Sequence, residues 1–178
     1  MAITLETLTQ NLDRRNWKYH VDLDRSSVIT GIKAENVDDF MIHFRLSEDG
    51  EFLQLIAPQL LHVKDHVYKG VLFQTMLSIS YEVKMLRFEY DPIDGEVRAS
   101  IEIPLEDATF TPRQFDRCLS GLIHLVDERV MPRLKAVMAT GEDPGAKDLA
   151  TQLVDAMPPE MLNMLGQMAE LIRQRQQN

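Results

Sequence analysis

The chain has one cysteine, Cys118, among 178 residues. No intramolecular disulfide can form, so the core must be held by packing alone, and a reducing compartment fits. No basic segment followed by an apolar run stands at MAITLETLTQNLDRRN, and no stretch approaches the ~18 apolar residues of a spanning helix. These absences lead us to expect a cytoplasmic chain without a membrane partner. Glycine is also sparse, at eight residues, and none of them builds a GxxxxGK loop, a GxGxxG turn or a GxSxG elbow. Nucleotide cradling and nucleophile-elbow chemistry therefore have no local signature, and neither a cofactor nor an enzymatic activity is expected.

Positive charge is the other scarcity. Nineteen Lys/Arg stand against 28 Asp/Glu, giving a net charge of −9 and a pI near 5.0. Nucleic-acid binding needs basic side chains concentrated on one face, so it is not expected here. The imbalance sits early in the chain: residues 1–110 hold 11 Lys/Arg and 19 Asp/Glu, whereas 111–178 hold 8 and 9. A solvated acidic surface that keeps the chain soluble accounts for this, with a basic partner as the alternative.

What is present is a set of clearly patterned segments. Ile3, Leu5, Leu8 and Leu12 share a helical face, with Thr4 and Thr7 available to cap it. Tyr19, Val21 and Leu23 then alternate with polar residues as in a half-buried strand. After the turn DLDRSS come VITGIKA, VDDFMIHFRL and EFLQLIAP, the last two joined through Ser47-Glu48-Asp49-Gly50, where glycine accepts the positive φ of a hairpin. Beyond Pro58 the spacing of Val67, Val71, Leu72, Met76, Ile79 and Val83 predicts a helix over about 65–81.

Two strands follow in KMLRFEYDPIDGEVRASIEIP. Leu86, Phe88 and Tyr90 form one apolar row, and Val97, Ala99, Ile101 and Ile103 the other, around a turn that Pro92 and Asp94-Gly95 close. Thr111, Pro112 and Gln114 then read as a capping box with proline at the first helical position. The stripe Phe115, Leu119, Leu122, Ile123, Val126 and Val130 continues that helix, Pro132 kinks or restarts it, and it ends at Gly141. The order predicts an α+β fold, an antiparallel β-sheet with helices on one face. After GEDPG, two short helical patterns flank Pro158-Pro159, and Met161, Leu162, Leu165, Met168, Leu171 and Ile172 make one apolar face. Methionine-rich faces adapt to irregular partners. This helix is expected to bind another protein, with docking on its own domain or partial disorder as the alternative.

The run WKYHVDLD, the stretch Phe40 to Ala57, the hairpin FEYDPIDGEVRASIEIPLEDA and the segment ending VDERVMPRL together resemble the YbjN domain family, in a branch similar to cyanobacterial members. The likeness covers about residues 1–140, which are expected to be one domain, with 141–178 a helical C-terminal extension outside it. It implies a fold like that of type III secretion chaperones, a homodimer, and a role without catalysis. Some members of that family carry a loose description as sensory-transduction regulators.

Candidate chemistry is thin. His62 and His66 stand four residues apart, as on a helix, but LHVKDH lacks the glutamate that follows the first histidine of a zinc-protease motif. With Asp65 they leave a small metal-dependent enzyme or ligand sensor as the alternative reading. Asp91, Asp94 and Glu96 lack the ligand spacing of a calcium loop, and Glu35, Asp38 and Asp39 are of the same kind. Cys118 sits beside the apolar stripe of the long helix and reads as a buried inert thiol. The expected function is a chaperone-like or regulatory adaptor that binds a peptide or partner protein, with Phe88, Tyr90, Met161, Leu165, Met168 and Leu171 as the contact residues.

Overall fold

The computed structural model describes residues 3–106, 108–146, 153–154 and 156–176. They fall into two compact units, Met1–Pro144 and Gly145–Asn178. In the first, helix α1 (Leu5–Asp13) starts where Thr4 accepts a hydrogen bond from the Thr7 amide, and it buries Leu8 and Leu12. Six strands follow in one antiparallel sheet: β1 (Tyr19–Asp22), β2 (Ser27–Ile32), β3 (Phe40–Ser47), β4 (Phe52–His62), β5 (Arg87–Tyr90) and β6 (Glu96–Pro104). Their spatial order is β1-β2-β3-β4-β6-β5. This is the expected α+β fold.

The structure differs from the sequence reading in four places. Strand β1 stops before Leu23, which lies in the turn and is 75% exposed. Strand β4 does not end at Pro58. It runs on to His62 across a bulge between Ala57 and Leu61, with Gln59 at φ 53°. A bulge is where a sheet tolerates proline, because the residue there owes no ladder hydrogen bond. Helix α2 (Lys69–Glu82) accordingly begins later than the periodicity suggests, and Val67 is left exposed ahead of it. The β3–β4 joint carries positive φ at Glu48, Asp49 and Gly50 alike.

The β5–β6 turn closes as expected. Asp91 Oδ1 accepts from the Ile93 amide and Asp94 Oδ1 from the Glu96 amide, both within 2.9 Å. Gly95 has φ +86°, and a Cβ there would lie 2.5 Å from Lys64, so the turn needs glycine for both conformation and space.

Helix α3 (Pro112–His124) begins with the full capping box between Thr111 and Gln114. A π-helical turn (Leu125–Val130) joins it to α4 (Met131–Thr140), which Gly141 ends in the left-handed conformation. The interruption predicted at Pro132 is thus taken up by a widened turn just before it. Helix α3 lies against β4 and β6, α2 against β5 and α4, and α1 against β1 and β2. Phe115 of α3 stacks on Phe44 of β3, with ring centroids 5.2 Å apart, and Phe73 of α2 meets Tyr90 edge-on at 4.8 Å. Ile42, Phe44, Leu53, Leu55, Val97, Ala99 and Ile101 from the helical side of the sheet are all buried. Burial pushes the Cys118 thiol up from its ordinary value, against a smaller opposite effect of Arg117.

In the second unit the described helix is Pro159–Gln176, whose Met161, Leu162, Met164, Leu165, Met168 and Ile172 are exposed. The Leu171 side chain, which belongs to the expected contact set, lies outside the described residues. No described helix is long and apolar enough to cross a membrane.

Candidate functional site

Strand pairing sets which side chains share the face opposite the helices. Ile29, His43, Ile56, Ser100 and Arg87 form one row across β2, β3, β4, β6 and β5. Ser27, Arg45, Gln54 and Glu102 form the next row, and side chains alternate faces along each strand. No described helix of residues 3–144 is packed on this face. It divides into two chemically distinct halves.

The β5–β6 half is a closed polar network. Arg87 bridges Glu89 at 2.8 Å and Glu102 at 2.5 Å, Arg98 pairs with Glu89, and Ser100 Oγ donates to Glu89 at 2.8 Å. Gln54 donates to Glu102. Burial pushes the Glu89 carboxyl up, but Ser100, Arg87 and Arg98 together hold it below its ordinary range. Charges satisfied among themselves offer little to a ligand.

The β2–β4 half is open. A cavity of about 570 Å³ lies over Ser27, His43, Ile56 and Pro58 and is edged by Arg25, Arg45 and Arg98. A second, of about 460 Å³, extends from Pro58 over Met41 and Gly31 to Lys33. Arg25 is 82% exposed and reaches only 3.8 Å from Asp22. Burial, with the nearby Arg25 charge, lowers the His43 pKa, and its Nε2 is enclosed without a hydrogen-bond partner.

The residues singled out from sequence fall elsewhere. Phe88 and Tyr90 lie on the helical side of β5 and are half-buried against the core, Tyr90 against Phe73 with Lys69 Nζ 5.9 Å from its ring centroid. Only their outer edges remain for a partner. Met161, Leu165 and Met168 are exposed together on the C-terminal helix. His62 ends β4, whereas His66 lies in the following turn and accepts at Nδ1 from the Tyr68 amide. The two do not share a helical face, because the helix starts only at Lys69.

Several carboxylates considered as ligands serve the backbone instead. Glu96 accepts from the Gln59 amide at 2.8 Å and Asp39 from the Ala34 amide at 3.1 Å. Asp38 pairs with Lys135 at 2.7 Å, which holds its carboxyl below the ordinary range by hydrogen bond and charge. Sequence reasoning missed the open-face arginines, which come from a turn and two strands far apart in the chain. The alternation of Met41, His43 and Arg45 against Phe40, Ile42 and Phe44 was the one signal that β3 has such a face.

No family model matches the chain, and no curated protein matches it. Among solved structures it is similar to YbjN from E. coli, a candidate transcription regulator, with TM-score 0.57 and 13% identity, covering 76% of this chain and 94% of that one. It is also similar to a chain of the ExsC–ExsE complex, at TM-score 0.49 and 17% identity over 83% of this chain and 100% of that one. A chain of the HopA1–SchA chaperone–effector complex matches at TM-score 0.46 and 16% identity, over 66% and 84%. At 13% identity the likeness to YbjN is one of fold: this chain shares its architecture.

Proposed function

We propose that the chain is a non-enzymatic protein-interaction module, a chaperone-like or regulatory adaptor of the cytoplasm that receives a peptide or partner protein on the open face of its sheet. The observation that carries this reading is the asymmetry of the sheet. One face is sealed by helices, while the other presents Met41, 48% exposed, and two cavities that meet at Pro58, one of them also lined by Ile56. Exposed apolar surface framed by polar side chains is what protein-binding surfaces look like. The fold shared with YbjN supports the reading at the level of architecture. Affinity capture with the full chain and with Met41→Glu tests it: a partner recovered by the first and lost from the second is expected. Recovery that Met41→Glu leaves unchanged would remove the open face as the receiving surface.

Residues 141–178 act in this proposal as an extension of the 1–140 domain and make a second contact. An isolated helix of 18 residues is marginal in water unless its apolar face is covered. We assign Met161, Leu165, Met168 and Leu171 to that cover, supplied by the same face of a second copy in a homodimer. Light scattering is expected to return two 20.5 kDa chains for the unaltered protein and one for the double variant Leu165→Glu, Met168→Glu. A monomer in both cases, or a dimer in both, would take this role from the helix.

A further inference from the structure

We propose that the cavity between the Arg25 turn, β3 and β4 recognises carboxylate groups, and that its occupant is an extended polypeptide segment in which an acidic side chain is followed two and four residues on by apolar ones. This rests on the open face being the receiving surface and adds the chemistry of what it receives.

The argument begins with charge. In a chain of net charge −9, three arginines edge one cavity whose lining contains a single carboxylate, Asp24. Their engagement is unequal. Arg98 is held by Glu89, Arg25 is only loosely tied to Asp22, and Arg45 is exposed with no ion pair among the described residues. A free guanidinium presents a planar fork of donors that matches a carboxylate. His43 sits on β3 and lines the base of the cavity.

The apolar half of the lining selects the kind of molecule that carries the carboxylate. Ile56 lines the first cavity, and Pro58 is shared with the second, which continues to Met41 and Phe40. Arg45 and Met41 stand four residues apart on β3, about 13 Å at the rise of an extended strand. In an extended segment alternate side chains point the same way. An acidic side chain at Arg45 thus places the side chain two residues on over His43 and Ile56 and the one four residues on over Met41 and Pro58, where apolar groups fit.

The probes are a fluorescein-labelled peptide carrying the run Glu-Ser-Leu-Ser-Leu, its Gln-for-Glu counterpart and its phosphoserine-for-Glu counterpart, each titrated against the full chain by anisotropy. The Glu peptide is expected to bind about tenfold more tightly than the Gln peptide and to lose about tenfold in affinity on Arg45→Glu, a surface change that leaves the core alone. NMR signals of the His43 ring are expected to move on its addition. Equal affinity for the Glu and Gln peptides, or an Arg45→Glu variant that binds as before, overturns the proposal. Tighter binding of the phosphoserine peptide also overturns it, in favour of phosphate recognition. If Glu and Gln peptides bind alike and both are lost with Met41→Glu, the receiving surface stands and only the acidic preference falls. If neither peptide binds and Met41→Glu leaves partner capture unchanged, both readings fall.

Discussion

Replacing Phe115 with alanine is expected to remove about 3–5 kcal/mol of folding stability, the range found when a large buried aromatic is truncated and its site cannot collapse. Phe115 is fully buried. Its ring lies nearly parallel to Phe44, at 12° and 5.2 Å, and meets Phe110 at 6.4 Å, close to edge-on. Those three aromatics fasten the first turn of α3 to the centre of the sheet. Neither partner can move into the space, because Phe44 is fixed within β3 between two paired strands and Phe110 is held in the segment that leads into the capping box. Typical domains have only 5–15 kcal/mol of stability, so urea unfolding should find the variant close to its limit. A loss below about 1 kcal/mol would mean that α3 is anchored elsewhere, by Leu119 and Leu122, and that the stacked pair is incidental.

This anchor was legible in the sequence, and the reason is local. Thr111, Pro112 and Gln114 specify a helix start within four residues, and Phe115 follows as the first member of a stripe with helical period. The β5–β6 turn was legible for the same reason, since Asp91, Asp94 and Gly95 act on their own neighbourhood. Features that depend on distant pairing were not. Pro58 marks the end of a strand on local grounds, yet β4 passes through it because β6 is there to pair Leu61 and His62 with Val97 and Glu96. His62 and His66 have helical spacing in the chain and lie on a strand and in a turn. Phe88 and Tyr90 were correctly read as one apolar row, but no local signal says whether such a row meets the protein's own helices or a partner. The open-face site is the extreme case. Arg25, Arg45 and Arg98 are each an ordinary charged residue in sequence, and only the strand order β2-β3-β4-β6 brings them to one cavity.

Asp127 shows the same dependence on distant pairing, and its replacement should have the second large effect. In sequence it is one of three charged residues between Val126 and Val130 of the apolar stripe. In the structure it is buried, 6% exposed, in the π-helical turn between α3 and α4, where its carboxylate accepts from the Glu35 amide at 3.0 Å and the Asn36 amide at 2.8 Å. It thereby supplies the hydrogen bonds that the β2–β3 connection cannot make within a sheet. Asp127→Asn keeps the shape but replaces one acceptor oxygen with an NH₂ group facing a donor, so one amide loses its partner and the other loses charge assistance. The expected cost is about 2–3 kcal/mol.

The pH dependence separates this explanation from a general loosening of the turn. The Glu35 amide lowers the Asp127 pKa, burial raises it, and the Asn36 and Val37 contacts lower it further, leaving the carboxyl below its ordinary value. A carboxyl depressed in the folded state contributes its full stability above the ordinary carboxylate range and loses it as pH falls through the folded-state value. Unfolding free energies measured from neutral pH downward should therefore converge for the unaltered chain and Asp127→Asn. The gap is expected to be full at pH 7 and to narrow progressively below about pH 4. A gap that stays constant into acid would show that Asp127 holds the loop by shape alone and that its charge contributes nothing.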